Sequence, residues 1–269
     1  MCSECGCQRG RPDSRREALH SHRQAADGEY RDDTNEDVVV GREGIRILKL
    51  TVSVLEENAK HAELNRRYLR ERGVRMFNVV SSPGAGKTTL LLRSIGDLKG
   101  RLSICVIEGD QQTTRDAERI ALTGIQVVQI NTGKACHLDA QMVGRALKEL
   151  NLENGGVLFV ENVGNLVCPA DFDLGEEKRI VMLSVTEGDD KPLKYPNIFA
   201  SSDVMVVTKI DLSPYVDFDL AACVAHARQL KPSLVTILSS ARTGEGLKQW
   251  YDWLCGGGSW TPSGVAAAA

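Results

Sequence analysis

The stretch Phe77-Asn78-Val79-Val80-Ser81-Ser82-Pro83-Gly84-Ala85-Gly86-Lys87-Thr88 runs from an apolar segment through a glycine-bearing turn into Lys-Thr and a helical pattern containing Leu90, Leu91 and Leu92. A buried strand that turns on glycines and feeds straight into a helix aims several backbone amides at one spot, at the positive end of the helix dipole. Such a spot binds phosphate, and it needs an α/β frame with the strand inside and the helix outside. In the usual pattern, G-x-x-x-x-G-K-S/T, the first glycine is Ser81 here, while Gly86, Lys87 and Thr88 stand in place. Gly84 and Gly86 let the loop amides turn inward, with Ala85 and Thr89 in the same loop. Lys87 can reach the β and γ oxygens, and the Thr88 hydroxyl can meet Mg²⁺. The bland alternative is a glycine turn followed by a chance Lys-Thr.

Further apolar runs at Ile104–Ile107, Val127–Ile130, Val157–Val160, Val204–Val207 and Leu234–Ile237 alternate with helical patterns. The alternation predicts an α/β fold of the P-loop NTPase kind, a mainly parallel sheet flanked by helices. Ahead of it, Ile45, Leu48, Val52, Leu55, Ala59, Leu64 and Leu69 recur at helical spacing and predict a long amphipathic helix ending near Gly73. Residues 44–255 are thus read as the nucleotide domain with its leading helix. Residues 8–43 hold too little apolar surface to offset their ordering entropy and are expected to be a flexible tether. Residues 256–269, glycines followed by an alanine-rich end, read as a loose tail.

Two acidic clusters stand at strand ends, Glu108-Gly109-Asp110 and Glu161-Asn162-Val163-Gly164. In a parallel sheet those ends lie beside the phosphate loop, so Asp110 and Glu161 can hold Mg²⁺ directly or through water, and the Gly164 amide can sense a γ-phosphate. The plain reading is a pair of solvated acids. Thr208-Lys209-Ile210-Asp211 follows another strand, and a carboxylate at Asp211 accepts from guanine N1 and N2, a pair of donors that adenine lacks. Lys209 would cover the base, and Ser240-Ala241 after the last strand resembles the GTPase loop whose amides meet guanine O6. GTP is therefore expected over ATP. No glutamine stands beside Gly164, which predicts slow turnover, with Lys87 stabilising charge and Asp110 positioning water.

Cys2, Cys5 and Cys7 open the chain as C-x-x-C-x-C. Thiolates so close chelate a soft or borderline metal ion, or else form a redox set. The domain is therefore expected to carry a flexible N-terminal metal-binding extension over residues 1–7. A second set is split in sequence, Cys136-His137 and Cys168, each following a strand. Taken singly, the two cysteines read as buried apolar residues and the histidine as a helix-start residue. Together they offer three ligands, leaving a tetrahedral site open to water or to a second subunit, which makes a homodimer plausible. Cys105, Cys223 and Cys255 read as structural.

A hydrophobic share of 42%, a charged share of 26% and a formal net charge of −3 are ordinary for a soluble globular protein and give no nucleic-acid signature. No apolar run approaches the roughly 18 residues of a membrane-spanning helix, and the opening residues lack a signal-peptide core. A cytoplasmic protein without membrane or nucleic-acid partners is expected.

In combination, these motifs resemble the HypB family of hydrogenase nickel-incorporation GTPases, metal-linked P-loop GTPases related to the urease accessory GTPase. The resemblance spans about Leu48 to Leu254 plus the N-terminal cysteines. It is carried by Ser82 to Thr89, Glu108 to Asp110, Cys136-His137-Leu138-Asp139-Ala140, Glu161 to Pro169, and Thr208 to Asp211. It implies GTP hydrolysis to GDP coupled to Ni²⁺ delivery into nickel-iron hydrogenase, and dimerisation promoted by GTP or metal. It also implies as partners the hydrogenase large subunit and a small zinc- and nickel-binding accessory protein, HypA. Within the family Cys136, His137 and Cys168 correspond to the metal site of the GTPase domain, where a thiolate-histidine set also suits Zn²⁺. Cys2, Cys5 and Cys7 resemble a high-affinity nickel site found in some members. Two alternatives remain at this point. One is a metallochaperone or metal store whose nucleotide domain is a dimerisation switch; the other is a GTPase for urease or cobalamin-enzyme maturation.

Overall fold

The computed structural model describes residues 38–40, 46–48 and 50–256. Cys2, Cys5 and Cys7, most of the expected tether and nearly all of the expected tail lie outside the described residues. A small unit contains an antiparallel pair, β1 (Val38–Val40) and β2 (Arg46–Leu48), with Val38 opposite Leu48. Three consecutive valines favour extended backbone, so part of the 8–43 segment is a strand rather than tether. Leu48, assigned to the leading helix by its spacing, also belongs to a strand, and the helix α1 (Leu50–Arg70) begins after it.

The main unit continues through β3 (Arg75–Ser81), α2 (Lys87–Leu98), β4 (Ile104–Asp110), α3 (Arg115–Ala121), β5 (Gln126–Asn131) and α4 (Ala140–Ala146). Then come β6 (Val157–Glu161), β7 (Lys178–Ser184), α5 (Lys191–Lys194), α6 (Pro196–Ser201) and β8 (Val204–Thr208). The unit closes with α7 (Leu220–Leu230), β9 (Val235–Leu238) and α8 (Leu247–Leu254). Its seven strands are all parallel, in the order β5-β4-β6-β3-β7-β8-β9. The chain leaves β3 toward β4 and β5 and later returns to the other side of β3. The crevice at that reversal is where ligands bind in such sheets.

Both faces of the sheet are covered. Phe77, Val79, Phe159, Met182 and Val206 pack with Leu91 and Ile95 of α2 and with Trp250 and Tyr251 of α8. Met76, Ile107, Leu158 and Val160 pack with Leu69 of α1 and Leu147, just beyond α4, and Val181, Met205 and Val207 pack with Phe199 of α6. Each such side chain contributes about 1.5–3 kcal/mol by leaving water. Among the described residues no helix is long and apolar enough to cross a membrane.

The sheet holds one strand more than the six apolar runs identified from sequence. The additional strand, β7, is buried from Arg179 to Ser184, and its arginine lies inside a polar network, so a hydropathy reading counts against it. The burial pattern of α1 also differs from expectation. Its inward stripe is Asn58, Ala62, Asn65 and Leu69, whereas Leu64 is 50% exposed. The asparagines act as pins. Asn58 accepts from the Ala140 amide at 2.8 Å and donates to the Asp173 carbonyl at 2.7 Å. Asn65 donates to the carbonyls of Ala140 at 2.8 Å and Leu174 at 3.0 Å.

Replacing Asn65 with leucine leaves two buried carbonyls without that donor. The expected loss is about 1–3 kcal/mol of unfolding free energy, measured by urea denaturation followed through tryptophan fluorescence. An unchanged midpoint and slope would contradict the pinning role.

Candidate functional site: a phosphate cleft joined to a cysteine–histidine cluster

The phosphate loop connects β3 to α2, with Gly84 at φ 77° and Gly86 at φ 96°, backbone angles at which a side chain is strained. Lys87 begins α2, is buried, and donates to Ser81 Oγ at 3.0 Å, while that hydroxyl donates to the Ser82 carbonyl at 2.6 Å. Burial pushes the Lys87 ammonium below the usual lysine range, opposed by the carboxylates of Glu161, Asp116 and Glu108. Ser81, the departure from the usual glycine, thus supplies the lysine with a neutral partner.

Thr88 Oγ1 donates to Glu161 Oε1 at 2.7 Å. Glu161 ends β6, and Glu108 of β4 is its register partner across the sheet. Both are buried, and the Oε2 atom of each has no hydrogen-bond partner. Burial first, then Glu161 and Asp110, push the Glu108 carboxyl up to about 8. Two orphaned carboxylate oxygens beside a threonine hydroxyl fit a hard, oxygen-seeking cation such as Mg²⁺. Asp110 lines the same cleft, but its Oδ1 accepts from the amides of Gln112 at 2.7 Å and Thr113 at 2.8 Å and shapes that loop. The cleft has a volume of about 570 Å³ and is also lined by Gly84, Gly86, Thr89, Gly164 and Lys209. A Cβ at Gly164 would stand 3.1 Å from Pro83, so its lack of a side chain lets this segment rest on the phosphate loop.

An adjoining slot of about 180 Å³ is lined by Ala85, Thr89, Thr208, Lys209, Asp211, Ser240 and Ala241. Thr208 Oγ1 donates to the Ala85 carbonyl at 2.7 Å and Lys209 Nζ to the Gly84 carbonyl at 2.8 Å. Lys209 alone among the described non-glycine residues has positive φ, 57°. Ser240 Oγ donates to Asp211 Oδ1 at 2.7 Å, orienting that carboxylate. The residues expected to read guanine therefore share one slot that opens beside the phosphate loop.

The split metal set also comes together. Cys136 and His137 lie between β5 and α4, and Cys168 opens a one-turn helix, Cys168–Ala170. The sulfurs of Cys136 and Cys168 are 2.7 Å apart, Cys136 Sγ is 3.9 Å from His137 Nδ1, and all three ligand atoms lie within 4.8 Å of one another. Burial lowers the pKa of His137, opposed by Asp139, which favours the neutral ring that ligates metals. The hydrogen bond with Cys168, then burial, raises the pKa of the Cys136 thiol. The His137 ring lies against Phe172 with centroids 3.9 Å apart. Cys105 and Cys223 are buried away from this group, and Cys255 is exposed.

Sequence reasoning misses Lys191, which donates to Ser82 Oγ at 2.8 Å, and Asn162, whose side chain is buried between the two sites. Lys191 belongs to no contiguous motif. Asn162 carried a signal, an amide side chain directly after the glutamate that ends an otherwise apolar strand.

The fold and cleft define a P-loop nucleotide-binding protein with an adjoining cysteine–histidine cluster. Residues 75–237 match the family model described as CobW/HypB/UreG, nucleotide-binding domain. The hydrogenase maturation factor HypB of Rhizobium leguminosarum bv. viciae is 56% identical over 216 residues, 80% of this chain and 72% of that protein. The crystal structure of HypB from Archaeoglobus fulgidus matches with a TM-score of 0.70 at 42% identity, over 75% of this chain and 98% of that one. HypB from Helicobacter pylori in complex with nickel matches with a TM-score of 0.71 at 39% identity, over 74% and 94% of the two chains. The chain belongs to the CobW/HypB/UreG family and, within it, to the HypB hydrogenase maturation factors.

Glu108 gives a pH prediction for the protein free of nucleotide and metal. The folded state keeps its proton up to about 8 while the unfolded chain releases it near 4.5. Folding stability therefore falls as pH rises through that window. Glu108→Gln is expected to flatten the fall, measured by denaturant titration across the window, and a pH profile identical to that of the unmodified protein would contradict the assignment.

Proposed function

We propose that this chain is a slow GTPase whose nucleotide state gates nickel held by Cys136, His137 and Cys168 for transfer to nickel-iron hydrogenase during its maturation. One observation carries the reading. The segment from Glu161 to Cys168 begins at the carboxylate bonded to the phosphate-loop threonine and ends at a sulfur of the cysteine–histidine cluster. A change at the γ-phosphate therefore has a short covalent path to the metal. The nickel complex of the Helicobacter pylori relative supports nickel as the cargo.

In this reading Asp211, Lys209, Thr208, Ser240 and Ala241 hold guanine, with the Asp211 carboxylate accepting from N1 and N2. The amides of Gly84 to Thr89 cradle the phosphates, and Lys87 exchanges Ser81 for phosphate oxygens and stabilises the charge that develops in transfer. Thr88 and Glu161, with Glu108 beside them, would hold Mg²⁺, which when bound neutralises charge on the β- and γ-phosphates. Asp110 orients the attacking water. Slow turnover follows from the lack of a glutamine beside Gly164.

The cargo site is soft and incomplete. Two thiolates and a neutral imidazole bind Ni²⁺ and also suit Zn²⁺, and the open position is filled by a second copy of the chain or by the receiving protein. Homodimerisation, exchange with HypA and hand-over to the hydrogenase large subunit fit that open position, and the N-terminal Cys2, Cys5 and Cys7 would form a further, high-affinity nickel site. Couplings of this kind amount to about 1–3 kcal/mol, roughly 5- to 150-fold in affinity.

Nickel affinity measured by chelator competition is expected to differ within that range between the GDP form and the form with a non-hydrolysable GTP analogue. Cys168→Ala is expected to abolish the difference. Equal affinities in both nucleotide states would sink the gating reading.

A further inference from the structure

We infer that Asn162 is a positioning residue that ties the nucleotide cleft to both halves of the metal site through a buried relay of carboxamides; the inference rests on the gating reading above. Chain connectivity from Glu161 to Cys168 accounts for movement of one ligand, and within that segment Asn165 Nδ2 reaches the other loop by donating to the Cys136 carbonyl at 3.1 Å. Neither holds the far side of His137, where Leu138 leads into the rest of that loop.

Asn162 directly follows Glu161 and is fully buried. Its Oδ1 accepts from two amides, Leu138 at 3.1 Å and Val163 at 2.9 Å, and so holds the residue next to His137. Its Nδ2 donates to Asn78 Oδ1 at 3.2 Å, and Asn78 Nδ2 donates to Glu176 Oε1 at 3.1 Å. Glu176 pairs with buried Arg179, which donates to it through Nε at 2.9 Å. Arg179 in turn donates to the carbonyls of Ala170 at 2.9 Å and Phe172 at 2.8 Å. That grip fixes the loop following Cys168 and the ring that lies against His137. The relay therefore starts at the wall of the nucleotide cleft and reaches Cys136-His137 by one arm and Cys168–Phe172 by the other.

The polarity of the relay is forced from its far end. The Glu176 carboxylate only accepts, so the amide nitrogen of Asn78 must face it and the oxygen of Asn78 must face Asn162. Asn162 then has one orientation left, nitrogen toward Asn78 and oxygen toward the two backbone amides. Only a carboxamide supplies donor and acceptor in that arrangement, and a buried group left without its partner is costly. A second contact joins the same parts. Leu138 packs so closely on Gly109, between Glu108 and Asp110, that a Cβ there would come within 2.8 Å of its side chain. The asparagine pins of α1 grip the same loops but touch no group of the cleft, which makes them structural controls.

The test is Asn162→Asp, which keeps the acceptor for Leu138 and Val163 and sets an acceptor against Asn78 Oδ1. The readout is the ratio of nickel affinities in the GDP and GTP-analogue forms, together with the thiolate-to-nickel charge-transfer absorption in each form. In the unmodified chain the ratio is expected to be roughly 5- to 150-fold. In Asn162→Asp it is expected to fall to about twofold or less, and the absorption band to stop responding to nucleotide, while Asn65→Leu keeps the unmodified ratio. An unmodified ratio in Asn162→Asp overturns the relay and leaves gating intact, whereas no ratio in the unmodified chain overturns both. Hydrogen exchange on the unmodified chain tests the same point without any variant. Swapping nucleotide should change protection at residues 136–138 and 168–172 together, and a change confined to 168–172 overturns the relay.

Discussion

Parallel pairing of β3 with β6 on one side and with β7 on the other obliges the chain to leave its central strand in both directions. The crevice that opens at that reversal is where α2 begins, and every functional group is arranged around it. β4 and β6 deliver Glu108 and Glu161 in register to one edge of the crevice, and β8 delivers Thr208 to the other. The cysteine–histidine cluster is built one step further out, on loops that leave β5 and β6. Position in the sheet therefore sets the order of the parts: base, phosphate, carboxylates, thiols.

The crevice concentrates groups that are costly to bury. An ammonium, two carboxyls with unpartnered oxygens and a chain of amide side chains lie buried there. Groups held this way are fixed before a ligand arrives, so a nucleotide finds its partners already aligned rather than gathering them from solvent. The cost falls on the ligand-free fold, which is why Glu108 retains a proton there.

Legibility in the sequence followed locality. The phosphate loop, Glu108 to Asp110, and Thr208 to Asp211 are contiguous, and each is delivered by a single strand, so residue order alone placed them. The cluster of Cys136, His137 and Cys168 was readable although split, because thiols and an imidazole are rare enough to stand out. The polar interior was not. Asn58 and Asn65 look like surface residues of a helix, and Arg179 looks like an interruption in a strand, because their burial depends on partners distant in sequence. The same dependence hid β7 and shifted the buried face of α1 from Ala59 and Leu64 to Asn58, Ala62 and Asn65.

Ser81 has a further consequence. With carboxyl side chains close by, the buried ammonium of Lys87 is nevertheless held by a hydroxyl. A lysine locked to a carboxylate would have to be pulled off it each time a nucleotide entered, and the released carboxylate would then repel the incoming phosphates. A neutral placeholder yields easily and leaves no stranded charge. The serine thus holds the cation of the loop apart from the carboxyls of the strand ends, so that no internal ion pair has to be dismantled before the ammonium can turn to an incoming anion.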